Sequence, residues 1–169
     1  MKLMKRFLIA AVLLVAGGAN AQETITDNNY DQGFRLGFGI NAGGVTNDAF
    51  NFALGGDVRL QYDLSRDTSL TLTTGFTNLF AKENEFKDLG FIPVKAGFKA
   101  FINSSPFYVM GETGAGFAVT NGYDETTFIW SPGVGYANDF IDLSVRYEDV
   151  DSYYDSGIIA LRLAYGFKL

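Results

Sequence analysis

The chain contains neither cysteine nor histidine in 169 residues. Disulfides, thiol nucleophiles, imidazole acid–base chemistry and His/Cys metal sites are therefore excluded. A Ser-His-Asp hydrolase site is excluded with them. Proline is scarce, at 3 residues. No apolar stretch reaches the roughly 20 residues of a membrane-spanning helix. Basic charge is also in deficit, with 13 Lys and Arg against 19 Asp and Glu. That balance argues against nucleic acid as a partner.

What is present is glycine, at 20 residues, and aromatic side chains, at 15%. This mixture suits many short strands and turns. The first residues have the three parts of an export signal. Lys2, Lys5 and Arg6 are basic, 7–15 is apolar, and Ala19-Asn20-Ala21 is an A-x-A cleavage site. Cleavage after Ala21 would remove three basic and no acidic residues, taking the net charge from −6 to −9. The expected organisation is a signal peptide over 1–21, a polar lead-in over 22–32 and one domain over 33–169.

Within that domain, eight segments alternate with period two: 34–42, 54–64, 70–80, 92–102, 107–119, 127–136, 140–148 and 159–169. Most have the length a tilted strand needs to cross a bilayer. Short turns are expected at 65–67, 103–106 and 137–139. Longer polar loops are expected at 43–51, 81–90, 120–125 and 149–157. Short turns at one rim and long loops at the other are the pattern of an outer-membrane barrel with both termini in the periplasm.

The two phases of the strands differ in kind. One is apolar, as in Leu54, Val58, Leu60 and Tyr62, or Leu161, Leu163, Tyr165 and Phe167. It carries no charge in any of the eight segments, and Thr74, Asn78 and Thr113 are its clearly polar members. An Arg or Lys at the middle of a lipid face costs about 2–4 kcal/mol, which accounts for the exclusion. The other phase carries most of the glycines and the charges. Its bases are Arg35, Arg59, Lys95, Lys99, Arg146, Arg162 and Lys168. Its acids are Asp57, Asp63, Glu112, Asp142 and Glu148. A soluble lipocalin-like barrel would turn this alternation inside out. An eight-stranded barrel is too narrow to hold so many large apolar groups, so the apolar phase is assigned to the outside. The expected fold is all-β: an eight-stranded antiparallel up-and-down transmembrane barrel.

Aromatic residues gather near the strand ends. Phe34, Tyr62, Phe107, Tyr136, Tyr165 and Phe167 belong to one end, and Phe80, Phe117, Phe128, Trp130 and Tyr147 to the other. This resembles the pair of girdles at the two membrane interfaces. Pro93 and Pro132 interrupt strands and suggest bulges. Leu79, Phe101 and Ile129 are apolar in the inward phase and fit the pattern poorly.

Gly33-Phe34-Arg35-Leu36-Gly37-Phe38-Gly39, Pro132-Gly133-Val134-Gly135-Tyr136 and Leu163-Ala164-Tyr165-Gly166-Phe167-Lys168-Leu169 resemble the outer-membrane β-barrel domain family common in Bacteroidetes. The resemblance to the small OmpA/OmpX-type barrels is more distant. It covers residues 33–169 and implies an outer-membrane location. It also implies lipid and lipopolysaccharide as surroundings and the barrel-assembly machinery as a partner during insertion. Members of the family usually end in an aromatic residue; here Leu169 is last and Phe167 stands two before it.

The twelve inward charges are expected to pair with one another, since buried charges need partners. They would form a plug, giving a structural or surface-interaction barrel with a non-conducting lumen. A small channel and an accessory subunit of a secretion or surface-assembly system are the alternatives. No catalytic residues, cofactor or metal site are assigned. Acidic residues in or beside the loops (Glu83, Glu85, Asp88, Asp124, Glu125, Glu148, Asp149, Asp151 and Asp155) raise the question of divalent cations. Their spacing has no EF-hand pattern, so a solvated anionic surface is the preferred reading. Tyr123, Tyr153 and Tyr154 are candidate contacts for an unknown surface partner.

Overall fold

A computed structural model describes residues 33–82, 87–122, 125–150 and 156–169. The expected signal peptide over 1–21 and lead-in over 22–32 lie outside these residues. So do Glu83, Glu85, Tyr123, Asp124, Asp151, Tyr153, Tyr154 and Asp155. Eight strands follow one another: β1 Phe34–Val45, β2 Phe50–Asp63, β3 Thr68–Ala81, β4 Leu89–Phe101, β5 Phe107–Ala118, β6 Thr126–Ala137, β7 Ile141–Val150 and β8 Ser156–Lys168. Each pairs antiparallel with the next, and β8 pairs with β1 to close the barrel.

Register fixes the width of the interior. Hydrogen-bonded neighbours can be followed once round the wall from Gly33 through Asp63, Ser69, Lys99, Met110, Gly133, Arg146 and Ala160 to Gly43. The path returns to β1 ten residues further along. Over eight strands that offset tilts the strands by roughly 40° and sets the wall about 8 Å from the axis. Such an interior has room for side chains and little else.

The two phases separate across this wall. Phe38, Ile40, Leu72, Val134, Leu161 and Tyr165 are among the large apolar side chains exposed on the outside. The turns at the rim bearing the termini are held locally. Asn138 Oδ1 accepts from the N–H groups of Phe140 and Ile141, at 3.0 and 2.8 Å. Asn103 and Ser104 both have left-handed backbone, with φ of 50° and 54°.

Two expectations need correction. Three of the four connections at the opposite rim are shorter than expected, because the strands keep pairing beyond the predicted ends; the third, 119–125, is one residue longer than the expected 120–125. Gly43 and Gly44 still pair with Ala53 and Phe52 on one side and with Ala160 and Ile159 on the other. The first connection therefore shrinks from 43–51 to 46–49. The prolines, in turn, make no bulges. Pairing lapses opposite Pro93 between β3 and β4, and around Pro132 between β6 and β7, but the register is the same on both sides of each lapse. A missing N–H removes a bond without inserting a residue. The register shift lies instead between Phe50 and Phe52 on β2.

Candidate functional site

The closed wall points alternate side chains at the axis, and the small inward residues let long ones cross it. Gly39 is an example. A Cβ there would lie 2.9 Å from Arg162 Nε, so glycine leaves the space that the guanidinium occupies. Arg162 grips Asp57 with Nε at 2.9 and 3.0 Å and Nη2 at 2.6 Å. Asn41 Nδ2 donates to the same carboxylate at 2.8 Å, and Arg146 Nη2 donates to Asn41 Oδ1 at 3.1 Å.

From Arg146 the chain of charges continues. Its Nε is 3.4 Å from Glu148, which accepts from Lys95 Nζ at 2.6 Å. Lys95 also lies 3.7 Å from Glu112. Glu112 accepts from Thr73 Oγ1 at 2.6 Å and from Thr71 Oγ1 at 3.2 Å, with Arg59 Nη2 at 3.2 Å. Asp142 joins the cluster through Arg59 at 4.0 Å and Arg162 at 3.8 Å. It also accepts from Lys99 Nζ at 2.7 Å and from Tyr108 Oη at 2.6 Å. Lys99 Nζ sits over the Tyr108 ring, 3.9 Å from its centre.

Five cations (Arg59, Lys95, Lys99, Arg146 and Arg162) and four carboxylates (Asp57, Glu112, Asp142 and Glu148) thus form one connected cluster. Of the other expected members, Arg35 pairs with Asp63 at 3.1 Å near the rim bearing the termini. Gln61 Nε2 and Ser69 Oγ also donate to Asp63, at 2.7 and 2.8 Å. Lys168 is exposed at the end of β8, outside the buried cluster.

Charges occupy only part of the interior, and this corrects the expectation of a charge-filled lumen. Towards the loop-bearing rim the axis is blocked by an apolar cluster that includes Phe50, Leu79, Leu89, Phe91, Ile129 and Ile158, all at most 2% exposed. Leu79 and Ile129, misfits in a polar lumen, are part of this stopper. Phe50 was missed. It falls in the expected loop 43–51, before the predicted strand, and the β2 bulge turns it inward, opposite Ala81. The hairpin tip holds it there: Phe50 N–H donates to Asn47 Oδ1 at 3.2 Å, and Asn47 Nδ2 donates to Ser156 Oγ at 2.6 Å. A void of about 10 Å³, on the order of one water, lies between the layers, lined by Asn41, Arg146, Glu148, Ile158 and Ala160 among others.

No protein-family model matches the chain. No curated protein matches it either. Solved structures do. One is Ail of Yersinia pestis in a phospholipid bilayer nanodisc, with a TM-score of 0.56 and 19% identity over 81% of this chain and 100% of that one. A second is Neisserial surface protein A, with 0.53 and 16% over 80% and 97%. A third is a de novo designed transmembrane β-barrel, with 0.52 and 18% over 78% and 94%. The fold is that of the small outer-membrane barrels.

These likenesses do not single out the Bacteroidetes-type family. The designed barrel has this architecture without an inherited biological role, so the likeness speaks to fold and not to activity. Among the described residues, no group of three or more acidic side chains is arranged to hold a metal ion. The carboxylates face lysines and arginines instead, an arrangement that neutralises charge and crosslinks strands. Arg162 ties β8 to β2, Lys95 ties β4 to β7, and Arg59 ties β2 to β5.

Proposed function

We propose that this protein is an outer-membrane barrel with a structural or surface-interaction role, and that its lumen is a closed core and not a conduit. The observation that carries the reading is the sorting of the wall. A closed barrel turns large apolar groups outward and braces its interior with ion pairs that link strands far apart in sequence. In water that exterior would be far larger than the apolar patches soluble proteins tolerate; in lipid it is the required solvent contact. The termini belong in the periplasm, the connections of the opposite rim face outward, and lipid with lipopolysaccharide surrounds the wall. Assembly of the signal-bearing precursor would pass through the barrel-assembly machinery. The buried charges are structural and not catalytic.

Two measurements test this. Unheated outer-membrane fractions should show a band whose mobility shifts on boiling, as a folded barrel does. The purified protein in planar bilayers should carry no steady current. Large, stable single-channel conductance would overturn the closed-core reading and favour a channel.

A further inference from the structure

The charge cluster in the lumen does not balance. It sets five cations against four carboxylates, and each carboxylate has a cation nearest to it. Asp57 meets Arg162 at 2.6 Å, Glu148 meets Lys95 at 2.6 Å, and Asp142 meets Lys99 at 2.7 Å. Glu112 has Arg59 at 3.2 Å, closer than Lys95 at 3.7 Å. Arg146 is left over. It approaches only carboxylates that are already matched, Glu148 at 3.4 Å and Asp57 at 3.9 Å. Its hydrogen bond goes to the neutral amide of Asn41. Asp63 is matched separately by Arg35, and Asp149 takes the Trp130 indole on the outer side of β7.

Arg146 also has N–H groups to spare. Its Nε and Nη1 make no hydrogen bond, and its side chain is 5% exposed. With Asn41, Thr77 and Glu148, it lines the void of about 10 Å³ beneath the apolar stopper. A guanidinium keeps its charge when buried. A buried charge without a counter-charge is costly. The void has room for one particle about the size of water. Water itself would fill the space and leave the charge uncompensated. Sulfate, phosphate and carboxylate groups are too large for it.

We propose that this void binds one monatomic anion, chloride in ordinary media, as the counter-ion of Arg146. The anion accepts from the spare Arg146 N–H groups and brings the cluster to neutrality. Glu148 borders the same void, with its own charge met by Lys95. The site lies inside the wall, so it does not depend on what the outer face meets.

The test is a pair of urea titrations of the refolded mature chain, in sodium chloride and in sodium gluconate at equal ionic strength. Emission of Trp130, the chain's single tryptophan, reports unfolding. A site nine-tenths filled raises the folding equilibrium constant about tenfold. The wild type is therefore expected to lose about that factor in gluconate, whose anion is too bulky for the void, and to regain it in bromide. Arg146→Gln keeps a donor for Asn41 Oδ1 and drops the excess charge; it should fold and unfold alike in all three salts. Equal wild-type stability in chloride and gluconate overturns the proposal. So does an unchanged chloride effect in Arg146→Gln, which would mark a general salt effect. Should that variant not fold, crystals of the wild type grown in sodium bromide decide. An anomalous peak beside Arg146 supports the site, and a water there without anomalous signal overturns it. Loss of the wild-type heat shift would count against the membrane reading, independently of any response to chloride.

Discussion

Arg162 and Asp57 meet through three contacts under 3.1 Å, and both are buried. Such a pair reveals its worth when one partner is removed, because the other stays charged in a low dielectric. Arg162→Met is expected to destabilise the barrel by about 3–5 kcal/mol, and Asp57→Leu added to it should restore much of the loss. Urea titration of the refolded protein, followed by Trp130 emission, measures both; a single variant matching wild type would show the pair to be idle. Gly135 makes a sharper steric case. A Cβ there would lie 2.5 Å from Tyr108 Oη and 2.7 Å from the Leu143 carbonyl. Gly135→Ala should push Tyr108 off Asp142 and cost about 1–3 kcal/mol. Gly37→Ala is the control, since its Cβ would meet nothing closer than 3.6 Å. Which residues face inward was legible in the sequence, because period two assigns them. Which carboxylate meets which base was not. Lys95 reaches Glu148 across the lumen, and that meeting depends on the offset at which β8 closes on β1.

The strands show where period two succeeds and where it stops. All eight were legible, since apolar and polar positions alternate through each. Their ends at the loop-bearing rim were not. There Gly43, Gly44 and Val45 look like a loop by composition, yet Gly43 and Gly44 remain paired on both sides and Val45 with Ile158 of β8. The bulge on β2 was illegible for a further reason: an extra residue reverses the parity on which the reading depends. Its consequence is testable on two neighbouring phenylalanines. Phe50 is fully buried in the stopper, whereas Phe52 is 47% exposed on the outer face. Phe50→Ala should cost about 3–5 kcal/mol, because the surrounding apolar cluster cannot collapse fully into the gap. Phe52→Ala should cost clearly less in the same vesicles, since acyl chains can fill the space. Equal losses in urea titrations would mean that Phe50 does not seal the interior.

For the molecule as a whole, the usual sorting of a soluble domain is reversed: ion pairs line the axis and apolar groups meet the solvent. The interior still needs to be nearly dry, and the stopper over the charge cluster supplies part of that seal. The stopper also explains why the lumen was only half legible in the sequence. Leu79 and Ile129 stand as isolated exceptions in their strands and become a cluster only when curvature brings them beside Phe50 and Phe91. The outer face was legible because its rule is negative and tolerates no exception at mid-height. Leu72 tests that rule directly. It is 52% exposed on β3, flanked in register by Leu60 and Ala96. Leu72→Arg puts a guanidinium in the acyl region, about 2–4 kcal/mol less favourable at mid-depth. It should sharply reduce the heat-shifted, membrane-inserted fraction. Thr73→Ser changes the adjacent residue on the opposite face and retains the hydroxyl that donates to Glu112 at 2.6 Å. It should insert like wild type. If Leu72→Arg inserted as well as Thr73→Ser, the apolar face would have to be assigned to something other than lipid.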